Sequence, residues 1–271
     1  MKKPIVFSDV DGTLYEKDCY VSNFNLEILR RPDICFNIAT GNPICPRMKK
    51  LAKLTEVDYV IGSSGTQIYD FQKDKIIHEE YLDPKIVKKV FELIQKYKIS
   101  AGAWSSKIFY KFREEDNEFL NMIYYRYENF DQFTLYKAGD KILPICKIEV
   151  YFENTPNVDQ FQAELDKLGI RYLRTHMNLE IIKEGWSKGK AILWMLDNIF
   201  AESRADEIMV IGDSENDNSM FRRFHYAYAM DNAKDEVKSR ATFVTKGVGE
   251  HGLGIAILDY LSKLNAEENK K

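Results

Sequence analysis

The 271-residue chain is poor in the residues that build crosslinks and metal clusters. It has four cysteines, Cys19, Cys35, Cys45 and Cys146, and no two of them form a C-x-x-C pair. They read as reduced thiols of a cytoplasmic protein rather than as a disulfide framework. The four histidines are scattered, and the absence of H-E-x-x-H or a Cys/His cluster argues against zinc. Long apolar runs are missing, so no membrane span is expected, and the opening MKKPIVFSDVDG carries charge too early for a secretory leader. Strong charge of one sign is also missing. The net charge of −3 comes from lysines and glutamates mixed along the chain, which gives no nucleic-acid or other polyanion-binding surface.

What is present is ordinary globular material, 45% apolar, long enough for one large domain or two. The first eighty residues alternate strand-like and helix-like pieces: IVFSDV, then SNFNLEILRR, ICFNIAT, a helix in PICPRMKKLAKL opened by Pro43, and VDYVIGSS. Such alternation predicts parallel strands with crossover helices. From about residue 83 the texture changes. A capped helix, DPKIVKKVFELIQKYK, leads into strand-like ISAGAW and IFYKF, a Tyr-rich helix over 114–130, the strand PICKIEVYF, the helix VDQFQAELDKLG, and a hairpin of RYLRT with NLEIIKE. This block reads as α+β with an antiparallel sheet. After Gly185 the alternation resumes and runs to a closing helix, HGLGIAILDYLSKL. The expected architecture is therefore an α/β, Rossmann-like doubly wound parallel-sheet core, residues 1–82 with 186–271, holding an inserted α+β cap at 83–185.

Parallel α/β sheets carry their functional groups at the carboxyl ends of the strands. Three strands here end in polar chemistry: IVFSDVDGT, ICFNIATGN and EIMVIGDSEND. If they are neighbours, Asp9, Asp11, Thr40, Asp213 and Asp217 converge on one crevice. That many carboxylates need a cation, and hard oxygen donors without a dedicated cage fit Mg²⁺. A calcium loop in DSENDN fails, because Asn218 and Phe224 stand where an EF-hand needs glycine and glutamate. Helix capping would explain any one aspartate, but not Asp-x-Asp-Gly-Thr at one strand end with Gly-Asp-x-x-Asn-Asp at another. Lys188, in WSKGKAI, is locally no different from a solvated lysine. The stretch GVGEHG matches G-x-G-x-x-G, yet no strand with an acidic residue follows it, so it reads as a turn into the last helix.

FSDVDGTLY, NIATGN, SKGKAI and VIGDSENDNSMF, in this order and spacing, closely resemble the four motifs of the haloacid-dehalogenase-like superfamily. The long insertion between the second and third is similar to that of the Cof-type phosphatases. The resemblance implies a Mg²⁺-dependent phosphatase of small phosphorylated metabolites, with sugar phosphates as the expected class. Asp9 would be the nucleophile that forms an aspartyl-phosphate, and Asp11 the acid and base. Two residues apart on a strand, the two side chains would point the same way. Metal ligands would be Asp9, the Asp11 carbonyl and Asp213, with Asp217 orienting a metal-bound water or the lysine. Thr40, Gly41 and Asn42 would form the phosphoryl site just before a helix N-terminus. Lys188 would offset negative charge, and Asn216 would contact the phosphoryl group or substrate.

Asp11 itself separates branches: the resemblance implies a phosphatase or phosphomutase rather than a dehalogenase or an ion pump. A phosphomutase and a non-catalytic sugar-phosphate sensor are the alternative readings. Two residues depart from the subgroup pattern. Position 42 is Asn42 where A-T-G-R is common, and Ser64-Gly65 stands where Asn-Gly is usual. The cap aromatics Trp104, Phe109, Tyr110, Tyr124 and Tyr125 are assigned no sugar contact. The partner expected is a small substrate for a monomer or homodimer.

Overall fold

The computed structural model describes residues 3–15, 20–124, 133–152, 157–175, 177–201, 203 and 205–269. The chain begins with β1 (Ile5–Ser8), α1 (Asn23–Leu29), β2 (Cys35–Ala39), α2 (Pro46–Thr55) and β3 (Tyr59–Gly62). Two strands then follow without a crossover helix, β4 (Gln67–Asp70) and β5 (Lys75–Glu79). The middle block holds α3 (Pro84–Tyr97), β6 (Ala101–Ser105), β7 (Ile108–Lys111), α4 (Asp116–Tyr124), β8 (Phe133–Leu135), β9 (Lys147–Tyr151), α5 (Val158–Lys167), β10 (Leu173–Arg174) and β11 (Asn178–Ile182). The last part contains α6 (Lys188–Asn198), β12 (Ile208–Gly212), α7 (Asn218–Phe221), β13 (Tyr226–Ala229), α8 (Asp235–Lys238), β14 (Phe243–Val244) and α9 (Gly252–Glu268).

Among the described residues these strands form two sheets. The first runs β14-β13-β12-β1-β2-β3-β4-β5 and is parallel from β14 to β3. Alternation along β1 divides its apolar residues between two faces. Val6 packs with residues of α1, α2 and α9, whereas Ile5 and Phe7 pack with residues of α6, α7 and α8. Helices on both faces of a parallel sheet make the doubly wound α/β architecture expected. The strands β4 and β5 depart from it, β4 adding antiparallel to β3 and β5 antiparallel to β4, because a short connection cannot carry a parallel crossover.

The second sheet runs β10-β11-β9-β6-β7-β8 and is antiparallel except for the pair β7 and β8. Ile148 and Val150 of β9 pack with Val87, Phe91 and Ile94 of α3 and with Phe161 and Leu165 of α5. Lys147, Glu149 and Tyr151 alternate with them and point to the opposite face. That face meets the first sheet: Lys147 Nζ donates to the Gly41 carbonyl at 2.9 Å, and Trp104 Nε1 donates to Ser63 Oγ at 2.8 Å.

The helix after β2 begins at Pro46 rather than Pro43. A residue preceding proline is disfavoured from helical geometry, and Cys45 accordingly is extended, with φ −107° and ψ 169°. The Tyr-rich helix is seen over Asp116–Tyr124, while its expected remainder, with Tyr125, lies outside the described residues, as does Cys19. No disulfide joins Cys35, Cys45 and Cys146 to one another, and the latter two are buried. GVGEHG is a turn leading into α9. Among the described residues no helix is long and apolar enough to cross a membrane.

The start of α6 is held against α7 by close backbone approach. Gly189 N donates to Ser219 Oγ, and a Cβ on Gly189 would fall on the Ser219 carbonyl oxygen. Gly189→Ala is therefore expected to destabilise the protein by about 1–3 kcal/mol through overpacking. Urea unfolding measures it, and an unchanged midpoint would show that this contact yields freely.

Candidate active site

Because β12, β1 and β2 are parallel neighbours, their carboxyl ends open side by side. Asp9 follows β1, Thr40 to Asn42 follow β2, and Asp213 to Asp217 follow β12. Strand β1 stops at Ser8, although Asp9 N still donates to the Ile211 carbonyl at 2.9 Å. Beyond it the chain closes a tight loop in which Leu14 N donates to Val10 O and Gly12 N to Tyr15 O. Asp9 and Asp11 thus reach one cavity through this loop, not through strand alternation. Gly12 has φ +85°, and a Cβ there would fall on the Asp213 carboxylate.

Lys188 opens α6, whose first turn is capped by the Ser187 side chain. The residue is 1% exposed, and its ammonium donates to Asp9 Oδ1 at 2.6 Å, Asp217 Oδ1 at 2.7 Å and Asn216 Oδ1 at 2.9 Å. Burial alone would pull the lysine pKa down, but Asp217 and Asp9 outweigh it and hold the group charged. Asp217 Oδ2 is occupied by the backbone amides of Asp213 and Ser214, at 3.0 Å each. Lys188 and Asp217 therefore have all their charged atoms hydrogen-bonded, which a buried pair requires.

Asp9, Asp213 and Asp217 each offer a carboxylate oxygen within 4.8 Å of the others. Asp213 Oδ1 accepts from Thr13 Oγ1 at 3.1 Å and Asp9 Oδ1 from Lys188, whereas Oδ2 of both has no hydrogen bond among the described residues. Burial and then repulsion from Asp217 push Asp213 up to about 7. Burial chiefly raises Asp9 as well, with Lys188 opposing and Asp217 and Asp213 adding to the shift. Two carboxylates with open oxygens, both disfavoured as anions, fit a hard divalent cation that takes oxygen ligands.

Asp11 lies beside this group with both carboxylate oxygens engaged. Asn42 Nδ2 donates to Oδ2 at 2.6 Å, and Arg47 Nη1 donates to Oδ1 at 3.0 Å. Arg47 reaches in from α2, is buried, and also hydrogen-bonds the Tyr15 hydroxyl. The Thr40 hydroxyl accepts from the Asn42 amide N–H and from Asn42 Nδ2. Gly41 is separated from the helix start at Pro46, so its amide is a loop group and not part of a helix N-terminus. One cavity of about 540 Å³ is lined by Asp9, Asp11, Thr40, Gly41, Asn42, Asp213 and Asn216, with Glu149 and Glu180 from the second sheet. Lys188 and Asp217 sit buried behind it, joined to Asp9 directly and through the lysine.

The profile of the haloacid dehalogenase-like hydrolase family matches residues 6–257, the span that contains all of these groups. The chain belongs to that family. This hydrolase is 27% identical to 5-amino-6-(5-phospho-D-ribitylamino)uracil phosphatase YwtE of Bacillus subtilis, over 94% of the chain and 96% of the relative. It is 25% identical to phosphoglycolate phosphatase of Archaeoglobus fulgidus, over 97% and 99% respectively. The solved structure of the HAD subclass IIB sugar phosphatase BT4131 superposes with a TM-score of 0.79 at 21% identity, covering 94% of this chain and 98% of that one, and so shares the fold.

Several cavity residues of the hydrolase escape a reading of its motifs. Arg47 lies among the basic residues of PRMKKL with nothing local to mark it, and Glu149 and Glu180 sit in ordinary alternating strands. Asn232 Nδ2 donates to the Gly12 carbonyl from beyond β13 and steadies the loop after β1. A signal for Glu149 and Glu180 exists in principle. Each is a charged residue on a strand whose flanking residues are apolar and buried.

The raised Asp213 pKa carries a stability consequence. Between the ordinary value of 3.8 and about 7, the folded protein keeps a proton that the unfolded chain has released. A raised carboxylate therefore withdraws stability as pH climbs through that window. In chelator, the native hydrolase should lose stability from pH 5 to pH 8 relative to Asp213→Asn, and a divalent cation should restore more at pH 8 than at pH 5. Thermal melting of both proteins across the range tests this, and parallel pH profiles would contradict it.

Proposed function

We propose that the hydrolase is a Mg²⁺-dependent phosphatase of small phosphorylated metabolites, with sugar phosphates as its substrate class, working through an aspartyl-phosphate on Asp9. The observation that carries the reading is the Lys188 ammonium bonded to Asp9, with Asp11 beside them in the same cavity. A buried nucleophilic carboxylate, a cation to offset phosphoryl charge and a second, more exposed carboxyl group are what a two-step phosphoryl transfer to water needs. The two curated relatives are both named as phosphatases, of two different small phosphorylated compounds. That supports the reaction class and leaves the leaving group to the remaining walls of the cavity.

In the first step an Asp9 oxygen attacks phosphorus as the bond to the leaving oxygen breaks, and Asp11 gives that oxygen its proton. In the second, Asp11 takes a proton from a water that attacks the phosphorus of the aspartyl-phosphate, releasing inorganic phosphate and restoring Asp9. Asn42 and Arg47 hold the Asp11 carboxyl from both oxygens, which keeps it pointed at the bridging atom. Thr40, the Gly41 amide and Asn216 would bind the phosphoryl oxygens. Asp9, Asp213 and the Asp11 carbonyl would hold Mg²⁺, while Asp217 orients Lys188. The ion, when bound, neutralises charge on the phosphoryl group. Residues 83–185 would act as the cap that excludes water and selects substrates, and a cytoplasmic location is part of the same reading.

Asp9→Asn should fold yet lose roughly 10³-fold or more in p-nitrophenyl phosphate hydrolysis, and chelation should silence the native enzyme until Mg²⁺ is returned. Substantial turnover by the variant would remove Asp9 as nucleophile. Arg47→Met should lower kcat by about 10- to 100-fold through misplacement of Asp11. The loss should be larger for an alkyl phosphate than for p-nitrophenyl phosphate, whose leaving group departs without protonation. Equal losses on both substrates would separate Arg47 from proton transfer.

A further inference from the structure

The roof of the cavity contains a group of charges that the proposed chemistry does not use. Lys147 and Glu149 stand two apart on β9, and Glu180 on β11 is directly opposite Glu149 in the antiparallel register. All three are buried. Facing carboxylates on neighbouring strands repel one another, and burying them is unfavourable unless they are paired or have a task. Lys147 supplies part of the compensation: its ammonium reaches Glu149 Oε1 at 2.5 Å and Glu180 Oε2 at 3.1 Å. It also donates to Gly41 O and Ser64 Oγ, at 2.9 Å each. Those four acceptors use up the three ammonium protons. No proton of Lys147 is left for an anionic ligand.

The carboxylates differ in this respect. Glu180 Oε2 receives the Ser64 hydroxyl at 2.5 Å, but Glu180 Oε1 has no hydrogen bond among the described residues. It lies next to the loop after β2, since a Cβ placed on Gly41 would be 3.4 Å from Glu180 Oε1 and 3.4 Å from Asn216 Nδ2. An acceptor oxygen is thus presented to the cavity beside the proposed phosphoryl site, with Glu149 on the adjoining strand. Arg47 also lines the cavity, but its guanidinium is turned to Asp11 and Tyr15. Ser64, where Asn-Gly is usual, is the residue that fixes Glu180. It holds φ 56°, donates to Glu180 and accepts from Lys147.

We propose that Glu180, with Glu149 beside it, selects the leaving group: it accepts a hydrogen bond from a hydroxyl or ammonium and repels a second negative charge. The inference rests on the phosphatase reading and deepens it. It assigns the hydrolase to phosphomonoesters of neutral or cationic, donor-rich alcohols and excludes phosphorylated carboxylic acids, the chemistry named in the Archaeoglobus relative.

Matched substrate pairs test it: glycerol 3-phosphate against 3-phosphoglycerate, and glucose 6-phosphate against 6-phosphogluconate, with glucosamine 6-phosphate separating ammonium from hydroxyl. The native enzyme should show kcat/KM at least 100-fold higher for the uncharged member of a pair. Glu180→Gln should shrink that ratio at least tenfold, mainly through KM, and Glu180→Asp should recover part of it. A native ratio near one, a preference for the carboxylate, or a Glu180→Gln ratio within twofold of native overturns the proposal. The native ratios decide even if Glu180→Gln does not fold. Hydrolysis of p-nitrophenyl phosphate without discrimination defeats this inference alone, whereas no phosphate release from any compound defeats the phosphatase reading and this inference with it.

Discussion

The contact on which the site depends is the buried ammonium of Lys188 between Asp9 and Asp217. It joins the loop after β1, the start of α6 and the loop after β12, with Lys188 lying 179 positions from Asp9 and 29 from Asp217. Take the lysine away and two carboxylates, together with Asp213 nearby, are left in a space with little water to solvate them. Three carboxylates within 4.8 Å are tolerable only because one cation is built in and the open oxygens of Asp9 and Asp213 are directed to where another can sit. The lysine is in turn aimed by the Ser187 cap and by the tight packing of Gly189 on Ser219. Charge compensation and backbone packing are here the same structural problem.

A second buried lysine repeats the arrangement on the other side of the cavity. Lys147 lies between Glu149 and Glu180 and ties the second sheet to Gly41 and Ser64 of the first. The two lysines are used differently. Lys188 faces the atoms proposed to react, while Lys147 spends its protons on holding the two sheets together, leaving a carboxylate oxygen for a ligand. A cavity with cationic support beneath the proposed phosphoryl site and acidic groups above it is suited to a substrate whose charge is confined to one end.

The carboxylate cluster was legible in the chain because strand ends impose order on it, and the resemblance of the motifs attached phosphoryl chemistry to it. Asp9, Thr40 and Asp213 each follow a buried strand, and a doubly wound sheet leaves little choice about where such residues go. The alternation of strands and helices likewise foretold the first sheet. Local rules failed where long-range contact or a local exception decided. Pro43 promised a helix start, but Pro46 three residues later forces Cys45 out of helical geometry and moves the helix away from Gly41. The antiparallel β4 and β5 carry no helix to announce them. Arg47 and Glu180 are charged residues in ordinary surroundings whose partners lie 36 and 116 positions away, in Asp11 and Ser64.

The amino-acid sequence by itself determined the fold class, the order of the motifs and the identity of the carboxylates that end β1 and β12, because periodicity and strand-end chemistry are local properties. Tertiary structure alone decided that Lys188 is buried and triply bonded rather than solvated, that Asp11 is held by Arg47, and that the second sheet presents Glu180 to the cavity. Those outcomes depend on desolvation and on pairing between distant segments. Neither exists until those segments have come together in the folded chain.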